Sequence, residues 1–135
     1  MGTLILQDGS VIKGESYGAI GGYMGEIVFN TSIVGYQEVL TDPSYAKQIV
    51  VMTYPEIGNY GINEYDFESE KPSLVGFVSK NYCSKESHYQ SKSSLKEYLI
   101  QKGIVALCDI DTRSLVKKIR EYGTMNAFIT SADVD

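Results

Sequence analysis

The chain has 135 residues, 43% of them hydrophobic, with 12 Lys+Arg against 17 Asp+Glu and a formal net charge of -5. That length supports one domain with its own core, spanning residues 1–135, and leaves little for a second. No basic run follows a phosphate backbone, and the longest apolar stretch, around Ile49 to Met52, is a strand's length, so neither nucleic acid nor a membrane is expected as a partner. The N-terminus lacks the charged and apolar regions of a signal peptide, which makes the cytoplasm the expected compartment. Cys83 and Cys108 have no CxxC spacing and read as free thiols, giving neither a zinc site nor a disulfide framework.

In chain order, two apolar runs flank Asp8-Gly9, a dipeptide suited to a tight turn, and predict a hairpin of Leu4–Leu6 with Val11–Lys13. After Gly21-Gly22, EIVFNTS reads as a third strand from its β-branched and aromatic content. Val34 to Leu40 suits a short helical turn that Pro43 forces to end, because the residue before proline avoids helical geometry. QIVVMTY is then the strongest strand in the sequence, apolar enough to be buried on both faces.

The polar, glycine-rich run from Pro55 to Pro72 reads as a long irregular loop, LVGFVS as a strand, and SKNYCSKESHYQSKS as a second polar loop. Ser94 and Glu97 have the spacing of a reciprocal N-cap, predicting a helix from Ser94 to Gly103 with Leu95, Tyr98 and Leu99 on its buried face. IVALC is a short buried strand. DTRSLVKKIREYG is the clearest helix, capped by Asp111 or Thr112 and ended by Gly123, with Leu115, Val116, Ile119 and Tyr122 at apolar spacing. Lys117, Lys118 and Arg120 fall nearer solvent, and MNAFITS is a final strand. A strand-rich body with two late helices packed on one side is the consistent α/β architecture.

Catalytic equipment is sparse. Neither cysteine sits on a Gly-x-Cys-x-Gly turn, the one histidine, His88, has no acidic partner at a useful spacing, and no carboxylate cluster has metal-ligand spacing. Glu64, Asp66, Glu68 and Glu70 lack the glycine-centred pattern of a calcium loop and read as solvated charge. No glycine-rich phosphate loop leads from a strand into a helix. The 11 tyrosines pair apolar area with a polar tip and suit either core packing or an interface. Asp42, Pro43 and Ser44 read by themselves as a turn.

Three blocks then stand out in order: LILQDGSVIKGESYG, FNTSIVGYQEVLTDPSYAKQIVVMTYPEIGNYGIN and IVALCDIDTRSLVKKIREYGTMNAFI. Together they resemble the N-terminal domain of carbamoyl phosphate synthetase small subunits over nearly the whole chain. The resemblance implies a three-layer β/β/α domain of the swivelling type. It also implies a following glutamine amidotransferase domain, whose Cys-His-Glu triad releases ammonia to a large subunit that uses bicarbonate and two ATP to make carbamoyl phosphate. The sequence stops at Asp135, before any such nucleophile, so it reads as a fragment without catalytic residues of its own.

For this domain the resemblance implies docking on the large subunit in a heterodimer and support of the glutaminase site, in pyrimidine or arginine biosynthesis. ATP and a divalent metal are expected on the large subunit, with no cofactor here. Ser44, in the DPSY segment, matches a serine that contacts bound glutamine at the domain boundary, a role its donor and acceptor capacity suits. Asn30, Thr31, Gly35, Tyr36 and Gln37 shape the same loop, and Asp111-Thr112-Arg113 reads as capping plus an ion pair. Ala127 stands where the family often has glycine, and the SKNYCSKESHYQ loop matches only loosely. The alternatives are a stand-alone binding or adaptor module reusing the fold, and a hydrolase built on Ser44 or Cys83.

Overall fold

The computed structural model describes residues 1–31, 39–40, 42–53, 73–80 and 89–134, with the side chains of 89–95 outside the description. Among the described residues seven strands form a closed barrel: β1 (Gly2–Leu6), β2 (Val11–Ser16), β3 (Gly22–Asn30), β4 (Ile49–Met52), β5 (Gly76–Val78), β6 (Val105–Cys108) and β7 (Met125–Thr130), in spatial order β1-β2-β6-β5-β4-β3-β7. β3, β4, β5 and β6 run parallel to one another, and antiparallel pairings of β1 with β2 and β7, β2 with β6, and β3 with β7 complete the circle.

The opening hairpin forms with Leu4 opposite Ile12 and Ile5 opposite Val11. Its turn is wider than a two-residue one. Gly9 N–H donates to Leu6 O and Leu6 N–H to Ser10 O, both at 2.9 Å, so Gly9 alone takes the left-handed conformation, at φ 93°. Asp8 accepts from Ser10 N–H at 2.9 Å, which satisfies the turn from within.

Alternation along the strands divides the buried side chains into two clusters. Leu4, Leu6, Ile27, Ile49, Val51, Val78, Val105, Leu107, Met125, Ala127 and Ile129 come from six strands, and they meet inside the barrel. The helix α2 (Thr112–Tyr122) adds Leu115, Val116 and Ile119 to this cluster, packing over the ends of β3 and β4. The alternate residues Val50, Met52, Phe77, Ala106 and Cys108 form the second cluster, which Tyr98 and Leu99 of α1 (Tyr89–Lys102) cover. β4, β5 and β6 are buried on both faces, as their unbroken apolar runs require.

Several expectations change. The strand-rich body with two late helices is present, but the sheet closes on itself and the helices enter different clusters instead of sharing one side. α1 begins at Tyr89, which puts Ser94 inside the helix and not at its cap. Tyr122 is 46% exposed, because its position in the last turn of α2 lies past the barrel wall. Cys108 is disulfide-bonded and not a free thiol; the sequence's other cysteine is Cys83. The helical turn expected over Val34 to Leu40 lies outside the described residues except at Val39 and Leu40, which are helical and buried, and the loop from Pro55 to Pro72, Cys83 and His88 also lie outside them.

Candidate functional site

Ser44 is the central residue of a short 3-10 turn, Pro43–Tyr45, and is exposed. Proline at the first position needs no hydrogen-bond acceptor there, and Asp42 caps the turn. Asp42 Oδ1 accepts from both the backbone N–H and the hydroxyl of Ser44, each at 2.9 Å. These bonds hold the Asp42 carboxyl below the usual carboxylate range, the backbone bond contributing most. With its proton committed to Asp42, the Ser44 oxygen presents lone pairs toward solvent, ready to accept from a ligand.

The turn is tied to the barrel. Asn30, at the end of β3, donates from Nδ2 to Tyr45 Oη at 2.8 Å, while its backbone carbonyl accepts from Thr53 N–H at 3.1 Å and Thr53 Oγ1 at 3.0 Å. The ends of two parallel strands and the Ser44 turn therefore share one residue. Thr31 lies beside it on the wall of a recess; Gly35, Tyr36 and Gln37 lie outside the described residues.

That recess, of about 490 Å³, opens at the C-terminal ends of β3, β4 and β5. Thr31 and Thr53 follow β3 and β4, Lys80 follows β5, and Thr112, Arg113, Lys117 and Arg120 come from α2. Asp109, left-handed at φ 59°, makes the sharp turn that brings the chain from β6 into α2. Asp111 caps α2, accepting from Ser114 N–H at 3.1 Å and Ser114 Oγ at 3.0 Å. Its carboxyl is held low first by the Ser114 backbone bond and then by the Ser114 hydroxyl, with a smaller contribution from the positive charge of Lys80.

The expected cap at Asp111 is thus present, whereas Arg113 has no ion pair among the described residues. The cationic recess was missed because its residues come from four separate segments. The i, i+4, i+7 spacing of Arg113, Lys117 and Arg120 was the one readable signal. Among the described residues there is no histidine and no group of three or more His, Cys, Asp or Glu placed to hold a metal. No helix of the described residues is long and apolar enough to cross a membrane.

An exposed hydroxyl turn and a cationic recess lie on a mixed barrel. Comparison with known proteins supplies the family. The family model described as carbamoyl-phosphate synthase small chain, CPSase domain, matches residues 4–129, and the chain belongs to that family. It is 57% identical over 129 residues to the carbamoyl phosphate synthase small chain of Caldanaerobacter subterraneus, covering 96% of this chain and 36% of the relative. It is 53% identical over 132 residues to the protein of the same name from Bacillus caldolyticus and to that from Aquifex aeolicus, in each case covering 98% of this chain and 36% of the relative. The chain thus spans about a third of the length of these curated relatives.

Proposed function

We propose that the chain is the N-terminal, non-catalytic domain of the small chain of a glutamine-dependent carbamoyl phosphate synthase, and that Ser44 orients glutamine at the boundary with a following glutaminase domain. The observation that carries this reading is the Ser44 turn. Its hydroxyl is exposed, its proton is fixed by Asp42, and its neighbour Tyr45 is held by Asn30. A serine so held accepts from a substrate's ammonium or amide group with little further loss of side-chain freedom.

The rest of the role is support. The large chain is the expected partner in a cytoplasmic heterodimer, and ATP and divalent metal belong to it. Ile20, 96% exposed, and Met24, 75% exposed, place apolar area at the start of β3, where a docked chain would remove it from water. The β4-β5-β6 strands between α1 on one face and the barrel's remaining strands on the other fit the β/β/α layering of the swivelling type. The product would serve pyrimidine or arginine synthesis.

Ser44→Ala in the full-length small chain, assembled with its large chain, tests the reading. Loss of one orienting hydrogen bond should raise the KM for glutamine about tenfold. Synthesis supported by added ammonia should be unchanged, because it bypasses the site. An unaltered KM for glutamine would remove Ser44 from the binding site. The 135-residue chain alone should release no ammonia from glutamine above background.

A further inference from the structure

The recess beside α2 is lined by residues other than Ser44, and four of them are cationic. Thr112, the first residue of α2, is only 2% exposed and lines the recess. A threonine hydroxyl on the wall of such a recess can donate to or accept from a bound ligand. Around it stand Lys80, Arg113, Lys117 and Arg120. The salt bridge found among the described residues, Lys13 with Asp133, involves none of the four.

Four cations without an ion pair among the described residues repel one another in one recess of a chain with net charge -5, and an anion placed among them relieves that repulsion. The carboxylate of Asp111, which caps α2, is engaged by Ser114 through both its oxygens. Arg120 is held in place by the ring of Phe29, its guanidinium 5.0 Å from the centroid. The recess also lies at the C-terminal ends of parallel strands and at the start of α2, where ligands settle in α/β sheets and where a helix favours negative charge.

We infer that this recess binds the phosphoryl group of a small molecule. A phosphoryl group offers three terminal oxygens and up to two charges, matching planar arginine forks, ammonium groups and threonine hydroxyls that converge from several sides. A carboxylate offers two oxygens and one charge to the same donor set. The volume of about 490 Å³ leaves space for a group attached to the phosphate.

The test is calorimetric titration of the full polypeptide that the gene encodes with inorganic phosphate, glycerol phosphate, succinate and chloride at matched ionic strength. Saturable one-to-one binding of the phosphates, and not of succinate or chloride, is expected. Arg113→Gln and Lys117→Gln should each weaken it about tenfold and Thr112→Val about threefold, while Lys102→Gln at the end of α1 leaves it unchanged. Arg113 and Lys117 are exposed, so their variants keep the test valid even where Thr112→Val folds poorly. Glycerol phosphate binding more tightly than phosphate makes the ligand a phosphorylated metabolite; equal affinity makes it free phosphate. No saturable phosphate binding, binding matched by chloride, or binding indifferent to Arg113→Gln overturns the inference. Succinate binding as tightly as phosphate also overturns it, and turns the recess into a dock for acidic side chains.

Discussion

Asn30 and Tyr45, fifteen residues apart, are joined by a 2.8 Å hydrogen bond from Asn30 Nδ2 to Tyr45 Oη. The bond fixes the residue next to Ser44 to the end of β3. Tyr45→Phe keeps the ring and deletes the acceptor, so it should cost about 1 kcal/mol of stability in denaturant unfolding. On the proposed role of Ser44, it should also raise the KM for glutamine in the full-length small chain assembled with its large chain, by less than Ser44→Ala does. A variant with unchanged stability and kinetics would show that the turn holds itself.

Asp42 gives the turn a pH dependence. Its folded pKa lies below the ordinary 3.8 because Ser44 donates to it twice. A depressed carboxylate contributes stability above its unfolded pKa and loses that contribution as pH falls through the folded value. The turn should therefore be intact at neutral pH and loosen only in acid below 3.8. Carboxyl NMR titration should place the Asp42 midpoint below 3.8, and Ser44→Ala should move it upward.

Asp111 caps the helix that closes the barrel and supplies most of the recess. Asp111→Ala leaves Ser114 N–H without its acceptor and should lower the melting temperature by a few degrees. Asp111→Asn keeps an acceptor oxygen and should restore most of the loss. Equal melting temperatures for the two variants would assign the effect to charge instead of capping.

Leu115, 1% exposed, is where α2 enters the barrel interior. Leu115→Ala should destabilise the protein by about 2–5 kcal/mol, the range for truncating a packed leucine. Tyr122→Ala, on the same helix but half exposed, should cost far less. Chemical denaturation of both distinguishes a plugged barrel from a helix lying loosely on its rim.

Gly18 lies against the backbone leading into β6. A Cβ there would stand 2.4 Å from Ile104 O and 2.8 Å from Ala106 N. Backbone gives way less readily than side chain, so Gly18→Ala should destabilise by about 1–3 kcal/mol. Gly103→Ala meets no neighbour within 4 Å but must hold φ 76°, and so costs through backbone strain alone. If Gly18→Ala proves neutral in denaturant unfolding, the strand crossing is looser than these distances require.

Local chemistry determined the strands, the hairpin at Asp8-Gly9, and the α2 boundaries at Asp111 and Gly123, because period, capping and turn preferences act between near neighbours. The resemblance carried by FNTSIVGYQEVLTDPSYAKQ gave the family and singled out Ser44, which composition and spacing would have left as part of a turn. Closure of the barrel, the separate clusters entered by the two helices, and the disulfide at Cys108 needed the tertiary structure. So did the Asn30–Tyr45 bond and the gathering of Lys80, Arg113, Lys117 and Arg120 around Thr112. Each of these depends on which strand ends lie side by side, and pairing between segments far apart in the chain is set by packing of the whole core rather than by any residue's own preference.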